Sequence, residues 1–377
     1  MYKTFSEEKI DHLTQPMFFG KPVNVARYDQ VKYPFIDQLS QRQLAFFWRP
    51  EEIDLSKDRL DYMERLNDNE RHVFLSNLKY QTLLDSVQGR ALVIALLKIT
   101  SLPELENWIE TWSFSETIHS RSYTHIIRNL VPNPGIIFDD IIENKYISSR
   151  ASAITDRYDA FINGIDLMNV AREYKEHDEE GWCERTTYAL KKMLYLLLVD
   201  INALEALRFF VSFACSFSFA ERALMEGNAK VIKLIARDEL LHREGTVMIL
   251  ERLRNGSEGP EWAQIAEECK DIVPEIVKSV AEQEIQWAEY LFKDGAILGL
   301  NKEILSQYIK YLANSNLGML GVEPIYNDVK KDPLPWMKHY LSSSDVQVAP
   351  QETEISSYLT ADLDVEGGLS GLGGLEL

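Results

Sequence analysis

The length, composition and charge of this chain exclude several classes of protein. Its 377 residues are 45% hydrophobic and carry a formal net charge of −19 at pH 7, which argues against nonspecific nucleic-acid binding because such binding needs clustered cations. The sequence contains no apolar run of the ~20 residues that a membrane span needs and no signal-peptide core at its start. The three cysteines lack zinc-site spacing, so we expect a soluble, cytoplasmic protein with reduced thiols.

Helical patterning begins near residue 36, after an irregular segment over residues 1–35. Pro103 and Pro132 bracket a stretch that predicts one long helix, because proline is favoured in the first turn and beyond the end of a helix. A polar stretch at 172–182 separates the two halves of the chain. Strong helical patterning then returns over 187–216 and 225–253. No stretch shows sustained strand alternation, so the predicted fold class is all-α.

The C-terminal segment has a different composition. From Ser342 the periodicity fades, and the chain ends in the glycine- and leucine-rich run GGLSGLGGLEL. Such a composition does not offset its own ordering entropy. We therefore expect a helical bundle over residues 36–341 and a flexible tail over 342–377 whose leucines order when the tail docks on a partner.

A glutamate and a histidine three residues apart occur twice, each time about thirty residues after a lone acidic residue. The two sets are Asp85, Glu116 and His119, and then Glu205, Glu239 and His242. The intervals between lone and paired acids, 31 and 34 residues, suit a helix, a turn and an antiparallel helix. Residues three apart share a helix face. Four carboxylates and two imidazoles that converge in a bundle therefore predict a two-metal site.

The charge of these six residues supports a metal site. Four buried carboxylates would be costly without counter-charges, and two divalent ions would neutralise them. Mixed oxygen and nitrogen ligation suits iron or manganese. The alternative is a set of surface salt bridges or satisfied core pairs. We disfavour it because large apolar residues crowd the same segments, namely Trp112, Phe114, Phe209, Phe213 and Leu234.

Longer sequence blocks surround these residues. They are FFWRPEEID, NLKYQTLLDSVQGR, SETIHSRSYTHIIRN, NALEALRFFVSFACSF, MEGNAK, ARDELLH and QVAPQETEISSYL. Together they resemble the small, radical-bearing subunit of aerobic class Ia ribonucleotide reductase, from about Pro16 to Tyr358, with a weak match across 150–187. The resemblance implies a ferritin-like di-metal carboxylate helical bundle with extra helices and a flexible C-terminal tail.

The resemblance also implies a role for each matching residue. The six acidic and histidine residues above would be the metal ligands. Tyr123, one helical turn beyond His119, would carry the radical within an apolar sleeve. The expected sleeve residues are Phe209, Phe213 and Ile235. The expected electron-transfer residues are Trp48, Asp238 and Tyr358, with Glu352 near Tyr358 in the sequence. Asp238 would accept the second N–H of the metal-bound His119.

The implied activity is that of a ribonucleoside-diphosphate reductase small subunit. Two iron ions per chain, oxo-bridged when oxidised, would react with dioxygen and leave a radical on Tyr123; manganese is a possible variant. A homodimer would dock through its tail on a large subunit, where the nucleotide is reduced. Two alternatives stay open from sequence: a di-iron oxygenase or oxidase that acts directly on a small substrate, and a non-catalytic ferritin-like iron store.

Overall fold

Helices supply nearly all the regular structure of this protein. The computed structural model describes residues 4, 5, 7–173 and 181–342. Within these residues the α-helices are α1 (Pro34–Ala45), α2 (Ser56–Leu60), α3 (Asp68–Leu96), α4 (Pro103–Leu130), α5 (Pro134–Glu143), α6 (Lys145–Glu173), α7 (Trp182–Ala203), α8 (Phe209–Ala220), α9 (Glu226–Arg254), α10 (Pro260–Glu268), α11 (Ile272–Leu291), α12 (Lys302–Met319) and α13 (Met337–Leu341).

The remaining regular structure is short. Five-residue π-helices occupy Asp61–Arg65 and Leu204–Arg208. Across the described ranges, strand pairing is limited to two isolated bridges, each joining a single pair of residues. The all-α prediction is therefore confirmed. In the same part of the chain, no helix has both the length and the apolar character needed to cross a bilayer.

Helices α3 and α4 form the first antiparallel pair of the bundle. An Asn67–Glu70 capping box begins α3, and α4 begins at Pro103, as its proline predicts. Ser113 on α4 donates to the carbonyl of Gly89 on α3. A Cβ atom at Gly89 would lie 2.9 Å from the Cβ of Glu116. Glycine at this position therefore lets the two backbones approach closely beside the predicted site.

The second antiparallel pair consists of α9 and the continuous helical segment that contains α7 and α8. The π-helix Leu204–Arg208 lies between α7 and α8 and contains Glu205. Asn202, just before it, donates to Thr246 Oγ1 on α9 at 2.8 Å, which aligns Glu205 with the Glu239–His242 turn. Sequence patterning treats residues 187–216 as uninterrupted helix and does not predict this π-helix. π-helices of this kind often mark functional positions.

One continuous hydrophobic core surrounds both pairs, and further helices cover them. Helix α6 packs on α3 and α7, and α11 and α12 pack on each other beside the π-helix Leu204–Arg208. These additional helices cover the two pairs from outside. The segmentation of the chain into residues 1–35, 36–341 and 342–377 stays a prediction, and residues 343–377 lie outside the described part.

Candidate metal centre

The six residues predicted from sequence converge in the interior of the bundle, although they come from four separate helical segments. Each of them is at most 1% exposed. They form two overlapping groups in which one candidate ligand atom per residue lies within 4.8 Å of the others. The groups are Asp85, Glu116, His119 and Glu239, and then Glu116, Glu205, Glu239 and His242. Because Glu116 and Glu239 belong to both groups, these two carboxylates lie between the two potential ion positions.

Several polar atoms in this cluster make no hydrogen bond of standard geometry, although some of them lie close to one another. They are both carboxylate oxygens of Asp85, one oxygen each of Glu116, Glu205 and Glu239, and Nδ1 of His119. Buried polar atoms are normally paired, and buried charges are paired or coordinate metal ions. The cluster is therefore a candidate two-metal site, and its mixed oxygen and nitrogen atoms suit iron or manganese.

Both imidazoles present Nδ1 to the carboxylates and anchor the ring through Nε2. His119 Nε2 donates to Asp238 Oδ2 at 3.0 Å, and its Nδ1 lies 3.1 Å from Glu239 Oε1. His242 Nε2 donates to Gln43 Oε1 at 3.0 Å, and its Nδ1 lies 2.8 Å from Glu239 Oε2. Such outer hydrogen bonds select the tautomer and orientation of a metal-binding histidine.

Trp48 and Asp238 extend the cluster toward the surface. Trp48 Nε1 donates to Asp238 Oδ2 at 3.0 Å, the same oxygen that accepts from His119. The Trp48 and His119 rings are stacked with centroids 6.4 Å apart. One carboxylate oxygen thus connects an indole to an imidazole of the candidate metal site. The other two predicted electron-transfer positions, Tyr358 and Glu352, lie outside the described residues.

Tyr123 is completely buried beside Asp85. Its hydroxyl makes no hydrogen bond of standard geometry. Burial, and then the negative charge of Asp85, raises the pKa of Tyr123 well above its usual value. The phenol is therefore neutral, and loss of an electron from it must be accompanied by loss of its proton.

Five of the six apolar side chains singled out in the sequence are buried, namely Trp112, Phe209, Phe213, Leu234 and Ile235. Phe114 lies in the same segment as Glu116 but is 51% exposed and stacks on Phe47 at a centroid distance of 6.1 Å. Its position two residues before Glu116 turns it away from the face of α4 that Glu116 and His119 share.

Several contacts in the site were missed by sequence reasoning. Trp112 Nε1 donates to Glu116 Oε1 at 2.8 Å, and its spacing of four residues on one helix could have indicated the contact. Gln88 lies three residues after Asp85, so its helical spacing could likewise have indicated that it lies on the same helix face as a candidate ligand. Gln43 contacts His242 across 199 residues, and Tyr158 contacts Gln88 across 70 residues. No local sequence signal identifies these two residues.

The pKa values of five groups in the site depart from their ordinary values, namely those of Asp85, Glu205, Glu239, His119 and His242. Burial and neighbouring carboxylates raise the pKa of Asp85 and of Glu205. Burial favours neutral His242, but the charge of Glu239 and the hydrogen bonds to Glu116 and Glu239 together outweigh it and raise the pKa of His242 to about 9. The same balance raises the pKa of His119. Metal ligation requires the deprotonated forms.

We expect metal binding to release protons and to stabilise the fold. Addition of two equivalents of Mn²⁺ or anaerobic Fe²⁺ to metal-free protein in weak buffer at neutral pH should release on the order of two or more protons per chain. Binding to the folded state should also raise the melting temperature by mass action. A pH electrode and calorimetry measure the two effects. Unchanged pH together with superimposable melting curves would contradict a buried ligand cluster.

A comparison with known proteins identifies the family of this chain. The family model described as "Ribonucleotide reductase, small chain" matches residues 26–333. The chain belongs to this family. It is 53% identical over 376 residues to "Ribonucleoside-diphosphate reductase 1 subunit beta" of Escherichia coli O157:H7, covering 100% of each chain. It is 55% identical over 363 residues to the subunit beta of Haemophilus influenzae, covering 96% of each chain.

A solved structure of a ribonucleotide reductase small chain has the same fold. The R2 subunit from Clostridium botulinum matches with a TM-score of 0.72 and 26% identity, covering 91% of this chain and 99% of that one. The family resemblance and the ferritin-like bundle predicted from sequence are therefore confirmed. This ribonucleotide reductase small chain is a subunit of an oxidoreductase. That result supports the reductase interpretation over a separate oxygenase or an iron store.

Proposed function

We propose that this chain binds two iron ions through the six buried ligands, oxidises Tyr123 with dioxygen, and holds the radical for ribonucleoside diphosphate reduction on a large subunit. The observation that carries the proposal is the pair of overlapping carboxylate–imidazole groups beside a buried, neutral tyrosine. The relatives are named as β subunits of ribonucleoside-diphosphate reductases, which supports the substrate class and the need for a second subunit.

The residues present fit a pair of divalent ions. Four carboxylates balance four positive charges, and the unpaired oxygens and nitrogen supply ligands to both positions. Reduction of dioxygen to the level of water takes four electrons: two bound ferrous ions would supply two of them, Tyr123 would supply the third, and an external one-electron donor would supply the fourth. Manganese fits the same donor set, and metal availability as well as geometry selects between the two.

The protein side chains bind the ions and control the proton of Tyr123. Asp238 and Gln43 orient the two histidines through Nε2. The Asp85 carboxylate lies beside Tyr123, so the hydroxyl proton would leave on this side of the ring when Tyr123 loses an electron. A neutral radical results, so the ring of Tyr123 carries no net charge in the apolar interior. Buried Phe209, Phe213 and Ile235 would exclude water and reductants from it.

The radical would be transferred out of the site through hydrogen-bonded side chains. Asp238 connects His119 to Trp48, and Tyr358 in the C-terminal segment would continue the route to the large subunit, with Glu352 near it. This part of the proposal rests on the family resemblance for Tyr358 and Glu352. We further propose that the chain acts as a cytoplasmic homodimer and docks on the large subunit through residues 342–377.

Changes in the C-terminal segment should separate radical formation from turnover. After addition of Fe²⁺ and dioxygen, wild-type protein, the Tyr358→Phe variant and a chain truncated after Pro350 should all show a tyrosyl radical by electron paramagnetic resonance. The truncated chain should lose large-subunit binding and nucleotide reduction, since it lacks the docking segment. Tyr358→Phe should retain binding and lose turnover, because only the redox-active hydroxyl is missing.

Two outcomes would contradict parts of this proposal. Absence of a radical in reconstituted wild-type protein would refute radical generation at this site. Normal nucleotide reduction by Tyr358→Phe with the cognate large subunit would refute the relay role of Tyr358.

A further inference from the structure

A chain of two hydrogen bonds connects Glu205 to a tyrosine on a helix that carries none of the six candidate ligands. Gln88 Nε2 donates to Glu205 Oε1 at 2.7 Å. The Tyr158 hydroxyl donates to Gln88 Oε1 at 2.9 Å. Gln88 lies on α3 and Tyr158 on α6, and neither side chain is more than 1% exposed. Helix α6 therefore contributes to the site through Gln88.

The chemistry of the three groups determines the direction of both hydrogen bonds. Metal ligation requires Glu205 in its ionised form, and an ionised carboxylate can only accept hydrogen bonds, so Gln88 must turn its NH₂ group toward Glu205. The Gln88 carbonyl then points the other way and needs a donor, because it is buried. The Tyr158 hydroxyl supplies that donor. Tyr158 thus selects the amide orientation in which Gln88 attracts Glu205.

The two carboxylate oxygens of Glu205 have different surroundings. Oε1 is held by Gln88, whereas Oε2 has no hydrogen-bond partner and lies 3.9 Å from His242 Nδ1. Glu205 also belongs to the π-helix Leu204–Arg208, whose backbone hydrogen bonds depart from the regular α-helical pattern.

We propose that Gln88 and Tyr158 are positioning residues that hold Glu205 with Oε1 turned away and Oε2 presented to one of the two ions. This inference rests on the proposed function, since it assumes that Glu205 binds metal. Glu205 belongs to only one of the two ligand groups, the one that contains His242. Loss of these hydrogen bonds should therefore weaken one ion position and leave the other nearly unchanged.

In each half of the site, a buried tyrosine lies near the acidic residue that is not part of a Glu–His pair, Asp85 in one half and Glu205 in the other. The two halves differ in the contact between these residues. Tyr123 lies directly beside Asp85, whereas the Gln88 amide separates Tyr158 from Glu205. The hydroxyl of Tyr158 is committed to Gln88, and that of Tyr123 has no hydrogen bond of standard geometry. This difference agrees with a structural task for Tyr158 and a redox task for Tyr123.

Metal titration of two variants and one matched control tests the proposal. Gln88→Met keeps a side chain of similar length and removes both hydrogen bonds, and Tyr158→Phe removes only the outer one. Tyr308→Phe is the control, because Tyr308 is a buried phenol on α12, a helix that carries no candidate ligand. Metal-free proteins would be titrated anaerobically with Mn²⁺, and the free ion would be followed by electron paramagnetic resonance.

Wild-type protein and Tyr308→Phe should bind two ions per chain with matching affinities. Gln88→Met and Tyr158→Phe should lose about 10–100-fold in affinity for one of the two ions, the usual effect of losing a partner that orients a ligand. A general structural defect would instead lower the metal-free melting temperature and weaken both ions together, and that result would overturn the positioning role.

The remaining outcomes distinguish the inference from the function on which it rests. Wild-type affinity for both ions in Gln88→Met and Tyr158→Phe would overturn the positioning role while the proposed function stands. If wild-type protein failed to bind two ions, the proposed function would be overturned, and this inference with it. Tyr158→Phe changes a single oxygen atom, so it gives a decisive result even if Gln88→Met does not fold.

Discussion

Replacement of Tyr123 by phenylalanine should abolish the radical and all nucleotide reduction while both metal ions stay bound. The ring of Tyr123 is completely buried, and phenylalanine preserves its packing. The lost hydroxyl makes no hydrogen bond of standard geometry, so the change should cost little folding stability. It does remove the O–H group whose electron and proton leave together during oxidation. Metal analysis, electron paramagnetic resonance and a reductase assay with the large subunit measure the three expectations.

The Tyr123→Phe experiment also tests whether the radical resides on another tyrosine. Tyr158→Phe is a useful comparison, because it removes the hydroxyl of a second buried tyrosine connected to the site through Gln88. An unchanged tyrosyl signal in Tyr123→Phe would place the radical on another tyrosine. Loss of both metal ions in Tyr123→Phe would show that the hydroxyl supports the site structurally, contrary to the role proposed here.

Replacement of Glu239 by alanine should abolish stoichiometric binding of two metal ions. Glu239 belongs to both ligand groups, and its two oxygens lie 3.1 Å from His119 Nδ1 and 2.8 Å from His242 Nδ1. Burial raises the pKa of Glu239, but the two histidines outweigh burial and lower it. Glu239 therefore stays ionised, and alanine would remove a ligand from each ion position together with one of four balancing charges.

A matched control for this variant lies on the same helix. Glu244 on α9 is partly exposed and pairs with Arg42 at the surface, and an exposed ion pair contributes little to stability. Glu244→Ala should bind two ions per chain as wild-type protein does, by elemental analysis after removal of loosely bound metal. Two tightly bound ions in Glu239→Ala would refute the assignment of the shared ligand.

Local features of the chain were predictable from sequence because helix formation follows from residues close together in it. The Pro103 start of α4 and the shared face of Glu116 and His119 depend on neighbours within a few turns. The interval from Asp85 to Glu116 likewise suits the α3–α4 pair that is present. The six candidate ligands and the all-α fold could therefore be predicted from sequence, whereas the sharing of Glu116 and Glu239 between the two groups is seen only in the structure.

Features that depend on distant parts of the chain required the tertiary structure. Gln43 reaches His242 and Gln88 reaches Glu205 across 199 and 117 residues, and only the packing of helices brings such side chains together. The π-helix Leu204–Arg208 has no signature in the apolar pattern. Phe114 is a hydrophobic residue near two ligands, yet it faces outward. Spacing along a helix indicates which residues share a face, whereas the neighbours of that face, and how each ligand is oriented, depend on long-range packing.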